Sequence, residues 1–225
     1  MTTLISFKNV YLSPQGLFSK NRESILKNVS FEINAGDTIG ILGLNGSGKS
    51  TILKLCAGLI YPTSGTVEVA KNVNVSLLSL NSGFFPNLSG YENAVLLASW
   101  LINKNQNLET SINKIHEFSG LDHAFFDPVN TYSNGMKSAL GFSIASYVKS
   151  DVLLVDETLS VGDKNFSRKS KNKIEQLVDS GTAFVLASHS ANKINSYCAK
   201  CILVSNGEVM AAGQTSELVE LYACI

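Results

Sequence analysis

The chain is constrained most by one junction. The apolar run Thr38-Ile-Gly-Ile-Leu42 leads without a break into Gly43-Leu44-Asn45-Gly46-Ser47-Gly48-Lys49-Ser50-Thr51, and a helix-like run, Lys49–Gly58, follows. Strand, glycine turn and helix in that order fit the pattern G-x-x-x-x-G-K-[ST]. Glycines let consecutive backbone N–H groups turn inward and form a concave anion site. The start of the helix adds the positive end of its dipole at the same point. Lys49 supplies a mobile full charge for β- and γ-phosphates, and the Ser50 hydroxyl is placed to ligate Mg²⁺. The alternative is a glycine-rich turn with no ligand, and the strand before it and helix after it argue against that. Residues Gly43 to Thr51 therefore predict a nucleoside triphosphate site.

A second acidic feature complements the first. Asp151-Val-Leu-Leu-Val-Asp156-Glu157 is an apolar strand ending in two acids. In a parallel sheet, the carboxyl ends of the strands face the ligand crevice. Asp156 can then approach the Mg²⁺ held by Ser50, directly or through water. Adjacent residues at a strand end point in different directions, which leaves Glu157 to orient and deprotonate an attacking water. A solvated acidic pair at a loop start is the bland reading, and the phosphate loop weighs against it. Guanine readers need Asn-Lys-x-Asp, whereas Asn192-Lys193-Ile194-Asn195 and Asn172-Lys173-Ile174-Glu175 both lack the final Asp. Small-molecule kinases use an Arg-rich lid, and this chain has only Arg22 and Arg168.

Around these motifs, β-branched apolar runs alternate with helical stretches, as in an α/β fold with parallel strands. Candidate strands are Ile5–Tyr11, Val29–Ile33, Thr38–Leu42, Thr66–Val69, Val73–Leu78, Val152–Val155, Ala183–Ala187 and Cys201–Val204. Val152–Val155 and Ala183–Ala187 are continuously apolar, as strands buried on both faces must be. Leu12–Ser24 reads as a long early loop. Between about residue 82 and residue 150 the strand signal gives way to Ser89–Asn103, Leu108–Ser119 and Ser133–Val148, which suggest an inserted helical subdomain. A final helix-like run covers Ser216–Tyr222.

Composition narrows the class further. Lys+Arg and Asp+Glu stand at 18 each in 225 residues, which gives zero formal charge and argues against a nucleic-acid binder held by counterion release. It also argues against strong attraction to anionic lipid. With 44% hydrophobic and 16% charged residues, a large core is available. The most apolar stretch, Ala94–Ile102, is half the length a bilayer needs. The N-terminus lacks the order of a signal peptide, which implies a cytosolic chain. Cys198-Ala-Lys-Cys201 has no second Cys or His pair at zinc spacing, so Cys56, Cys198, Cys201 and Cys224 are read as ordinary thiols.

Tyr132-Ser133-Asn134-Gly135-Met136 lies between the two acidic and glycine-rich motifs, at the start of a helix, where Ser133 alone would be an N-cap. In that position it resembles the ABC signature motif. Leu159-Ser160-Val161-Gly162-Asp163 resembles the D-loop, and Ser188-His189-Ser190 the switch histidine. Lys27-Asn-Val-Ser-Phe-Glu-Ile33 and Val204-Ser-Asn-Gly-Glu-Val209 are similar to flanking family segments. The chain thus resembles, over essentially its whole length, the nucleotide-binding subunit of an ABC transporter. The fold this implies is an α/β phosphate-loop core with a parallel sheet (about 1–81 and 151–225), an antiparallel β portion near the N-terminus, and a helical subdomain at about 82–150. The whole chain, 1–225, would be one nucleotide-binding domain. The resemblance implies ATP and Mg²⁺ as ligands, with Ser50 and Asp156 on the metal. It implies a head-to-tail homodimer in which Ser133, Asn134, Gly135 and Met136 close over the γ-phosphate of the other copy. Glu157 would be the base, and His189 would contact the γ-phosphate. His116 and His123 have no such context and are assigned to the surface.

Three departures qualify the match. No glutamine stands where the family's lid residue falls; Asn81 offers a shorter amide. The signature carries Asn134 and Met136 where the family favours Gly and Gln. The adenine-stacking aromatic is open between Tyr11 and Phe18. The same departures narrow the subfamily. Gly83-Phe84-Phe85-Pro86-Asn87-Leu88-Ser89-Gly90-Tyr91-Glu92-Asn93, with the Tyr-Ser-x-Gly-Met signature and Asp-Glu-x-Leu-Ser-Val-Gly-Asp, resembles exporters of O-antigen, capsule and teichoic acid. Phe84-Phe85-Pro86 is read either as the docking point of an integral membrane permease or as an interior aromatic pair. The resemblance implies a peripheral subunit on the cytoplasmic face of the inner membrane, with the lipid-linked glycan handled mainly by the permease. Because Ile225 follows so soon after the last helix, glycan selectivity is expected in the partners. Another cargo (drug, lipid or peptide) is the alternative. A soluble ABC ATPase acting on DNA or ribosomes is disfavoured by one cassette, no heptad run and zero net charge, and a non-hydrolysing regulator is disfavoured by Glu157.

Overall fold

Hydrophobic alternation and continuous apolar runs resolve into two sheets. The computed structural model describes residues 2–14, 24–78, 83–101, 107–147, 150–156 and 164–223. Their strands are β1 (Thr3–Leu12), β2 (Leu26–Asn34), β3 (Thr38–Leu42), β4 (Ser64–Val69), β5 (Val75–Leu78), β6 (Val152–Val155), β7 (Ala183–Ser188), β8 (Lys200–Ser205) and β9 (Glu208–Gln214). The helices are α1 (Lys49–Cys56), α2 (Gly90–Leu101), α3 (Leu108–Ser119), α4 (Asn134–Tyr147), α5 (Lys164–Asp179), α6 (Ala191–Tyr197) and α7 (Thr215–Ala223). The chain is α/β, as expected. It divides into two compact units, one within Met1–Leu77, Asp151–Glu157 and Val178–Ile225, the other within Leu78–Ser150 and Thr158–Leu177.

In the first unit a six-stranded sheet runs in the order β5-β6-β7-β3-β8-β9. β6, β7, β3 and β8 are mutually parallel neighbours, and β9 closes the edge antiparallel to β8. The apolar runs of β6 and β7 are buried at every position, which is what burial on both faces requires. The antiparallel portion near the N-terminus is a three-stranded sheet, β2-β1-β4. Its inner face joins the same core: Ile5, Phe7, Val10 and Val29 pack with Ile41 of β3, Val185 of β7 and Ile52 and Leu55 of α1. Phe7 and Phe31, paired across β1 and β2, stack with ring centroids 4.4 Å apart. β9, with its Met-Ala-Ala-Gly stretch mostly exposed, was not expected from the sequence, and β5 starts at Val75 rather than Val73.

The second unit is built on a separate core, in which Ala94 and Ala98 of α2, Ile112 and Ile115 of α3 and Leu140 and Ile144 of α4 meet Phe125 and Val129. α4 is buried almost all round from Ser138 to Ser146, and its serines are satisfied within the helix: Ser143 Oγ donates to Ala139 O at 2.6 Å and Ser146 Oγ to Ser143 O at 3.0 Å. Residues 164–177 differ from the expected division, which kept them with the α/β core. They belong to the helical unit because Phe166 of α5 packs edge-on against Phe118 of α3 (6.0 Å) and Phe142 of α4 (6.1 Å). Among the described residues no helix is long and apolar enough to cross a membrane.

Candidate functional site

Parallel strands bring chemically distinct segments to one edge. Leu42, the last residue of β3, is in register with Ser188 of β7 on one side and Leu203 of β8 on the other. Val155 of β6 is in register with Leu186. The carboxyl ends of β6, β7 and β3 therefore lie side by side, and Asp156, His189 and Gly43 follow from them along the crevice edge of the sheet.

The loop from Gly43 to Gly48 is shaped from both sides. A Cβ on Gly43 would lie 2.2 Å from the Val204 carbonyl oxygen, so only glycine lets β3 turn so close to β8. Gly48 caps α1 with φ +108, and no side chain hydrogen-bonds to that cap. The first turn of α1 accordingly presents its backbone amides towards the loop. Leu44, Asn45, Gly46 and Ser50 are exposed, whereas Ser47, Gly48 and Lys49 are buried and Thr51 is half-buried. Lys49 is only 6% exposed, and its Nζ donates to Gly43 O at 2.8 Å and Leu44 O at 2.9 Å, which curls the side chain along the loop. Burial pushes the Lys49 ammonium below the ordinary lysine value, and the Asp156 carboxylate acts in the opposite direction. A cation held this far out of water fits an anion that would share its desolvated position. Ser47 Oγ is a buried side-chain oxygen with no hydrogen-bond partner among the described residues.

The donors fit a hard divalent cation. Ser50 offers a hydroxyl at the first turn of α1, and Asp156 a half-buried carboxylate just after β6. Two oxygen ligands from protein, completed by phosphate and water, is the usual complement for Mg²⁺. His189 is exposed beyond β7, where Ser188 Oγ accepts from Ser190 N–H at 3.0 Å and fixes the turn. Tyr11, one of the two aromatics considered for adenine, stands 39% exposed on β1. Glu157, Gly162, Asp163, Asn81 and Phe18 lie outside the described residues.

In the helical unit, Ser133 precedes α4 and its Oγ accepts from Met136 N–H at 3.2 Å, so the N-cap role is real whatever else the residue does. Ser133 and Asn134 are exposed; Gly135 and Met136 are half-buried, with Met136 packed on the helical core. The two readings of Phe84-Phe85 divide between the residues: Phe84 packs on the helical core, and Phe85 is 48% exposed. His116 is not a plain surface residue. Its ring stacks on Phe125 at 4.4 Å and its Nε2 lies 3.0 Å from Asp122 O, while His123 is exposed. Cys56, Cys198 and Cys201 are free, buried thiols, and no metal-holding cluster of His, Cys, Asp and Glu occurs among the described residues.

Sequence reasoning missed the part played by Asn93. It is fully buried, takes Phe85 N–H on its Oδ1 at 2.8 Å, and donates from Nδ2 to the carbonyls of Phe85, Leu88 and Ser89. A polar residue at the second turn of an apolar helix was the available signal.

The family model for ABC transporters matches residues 26–160, and the chain belongs to that family. It is 41% identical over 219 residues to the teichoic acids export ATP-binding protein TagH of Lactococcus lactis, covering 96% of this chain and 47% of that protein. It is 35% identical to the O-antigen export system ATP-binding protein RfbB of Klebsiella pneumoniae, covering 96% of this chain and 88% of that one. The chain spans about half the length of the teichoic acid export relatives it matches, from 36% to 63%. A dimeric ATP-binding cassette in a post-hydrolysis state, bound to ADP and Pi, superposes with a TM-score of 0.81 at 20% identity, covering 94% of this chain and 99% of that one. The fold is that of an ATP-binding cassette.

Proposed function

We propose that this chain is the ATP-hydrolysing subunit of an ABC exporter that drives a lipid-linked surface polysaccharide through a separate integral membrane permease. The observation that carries the reading is the buried Lys49 laid along a glycine loop beside the crevice edge at which Asp156 also stands. Relatives named for teichoic acid and O-antigen export support polysaccharide as the cargo class.

In this reading the amides of Gly46 to Thr51 and the Lys49 ammonium bind the β- and γ-phosphates. Ser50 and Asp156 would hold Mg²⁺, which when bound would supply positive charge against the phosphates. Glu157 takes the proton from the attacking water as its oxygen bonds to the γ-phosphorus. The bond from that phosphorus to the β–γ bridging oxygen breaks, leaving ADP and phosphate. His189 orients the γ-phosphate, and Asn81 serves as the lid amide. Adenine stacks on Tyr11 or Phe18. Two copies pair head-to-tail, so that Ser133, Asn134, Gly135 and Met136 of one, with Gly162 and Asp163 of its D-loop, complete the site of the other. Exposed Phe85, beside the buried Asn93 that shapes its loop, offers the permease an apolar contact. The complex sits peripherally on the cytoplasmic face of the inner membrane.

Two variants of the purified chain test the site. Lys49→Ala is expected to weaken ATP binding on the order of 100-fold, the worth of charge-assisted hydrogen bonds to phosphate. Glu157→Gln is expected to bind ATP normally and accumulate as an ATP-bound dimer. Unchanged affinity in the first, or normal turnover in the second, contradicts the assignment.

A further inference from the structure

The phosphate loop leans on the flanking segment Val204–Val209, which lies outside the glycine-rich, acidic and signature motifs. β8 and β9 are joined by Asn206-Gly207, both with positive φ (48° and 80°), the conformation that Asn-Gly adopts in a tight two-residue hairpin. This turn does more than connect strands. Gly207 N–H donates to Ser47 O at 3.1 Å, inside the phosphate loop, while Gly207 O accepts from Lys27 N–H at 2.8 Å, at the start of β2. Ile25 N–H in turn donates to Leu12 O of β1 at 2.7 Å. A backbone chain of hydrogen bonds and contacts thus runs from the strand that carries Tyr11, through Gly207, to the loop.

The packing is as tight as the bonding. A Cβ on Gly207 would lie 2.3 Å from Ile25 O and 2.9 Å from its carbonyl carbon, backbone atoms that cannot swing aside. A Cβ on Gly48 would meet Leu26, Ile25 O and Gly207 Cα, and one on Gly43 would meet Val204 O. The hairpin therefore supports the loop at both ends, at Val204 and at Gly207.

We infer that Gly207 is a positioning residue for nucleotide binding: its amide fixes Ser47, and with it the loop amides and Lys49, against the first strands of the antiparallel sheet. This rests on the nucleotide-site reading above. A side chain at 207 would push the hairpin off Ile25 and withdraw the amide from Ser47.

The test compares Gly207→Ala with Gly181→Ala. Gly181 also has positive φ (96°) but has nothing within 4 Å of its Cβ position, so its variant carries backbone strain without touching the loop. Affinity for MgATP, thermal stability, KM and kcat are measured for both. A third protein carries glycolic acid at 207 through nonsense suppression. That ester adds no Cβ and replaces the N–H that bonds Ser47 with an oxygen. Gly207→Ala and the ester are expected to lose ATP affinity on the order of tenfold, with KM rising more than kcat falls, while Gly181→Ala binds like wild type. An ester protein that binds ATP as tightly as wild type overturns the inference, even if Gly207→Ala fails to fold. Wild type failing to bind ATP would instead overturn the nucleotide-site reading itself.

Discussion

Buried charges in this chain sit where their partners can meet them. Asp37, 8% exposed, accepts from Lys200 Nζ at 2.7 Å and from the Asn34 backbone amide at 2.9 Å, and so ties the β2–β3 turn to the start of β8. Burial raises its carboxyl, but the Lys200 and Asn34 hydrogen bonds outweigh this and hold it below the ordinary 3.8. A carboxylate lowered on folding contributes stability above its unfolded pKa and loses it as pH falls through the folded value. Asp37→Asn should thus cost about 2 kcal/mol at neutral pH and less at strongly acid pH, below the folded carboxyl's lowered pKa, where the wild type has lost the same interaction. Urea unfolding at the two pH values measures it; an equal loss at both would contradict the ion-pair account. Lys49 is the contrasting case. Its burial depresses an ammonium instead of stabilising it, a cost that fits the phosphate site proposed there.

At the scale of the element, loop shape depends on buried polar side chains. The segment from Phe85 to Ser89 is wrapped around Asn93, and Ser89 with Glu92 forms a reciprocal cap at the start of α2: Ser89 N–H donates to Glu92 Oε2 at 2.8 Å and Glu92 N–H to Ser89 Oγ at 3.1 Å. Asn93→Ala would strand one amide and reduce the satisfaction of three carbonyls. It should destabilise the helical unit by about 2–3 kcal/mol, read as earlier protease cleavage within residues 83–93. Wild-type resistance would contradict this role. The strands around the site were legible because β3, β6 and β7 are short, apolar and buried throughout. β9 and α5 were not. β9 lies on the sheet edge with mixed exposure, and α5 is dominated by Lys, Ser and Asn, its burial resting on Phe166 and Ile174. Phosphate-loop identities could be read directly, since spacing there is set by chemistry. The support from Val204 and Gly207 could not, because it comes through backbone atoms far away in sequence.

For the molecule as a whole, each of the two units has its own core, and the segments proposed for catalysis are divided between them. The phosphate loop, Asp156 and His189 belong to the α/β unit; the signature residues belong to the helical unit. Such a division suits the head-to-tail pairing proposed above, in which a second copy supplies the signature. The most direct measurement is made in the source cell with a Glu157→Gln replacement. Surface polysaccharide and lipid-linked glycan on the cytosolic leaflet are quantified together. Loss of the surface glycan with accumulation inside is the predicted result. Unchanged glycan in both places would contradict polysaccharide export by this chain.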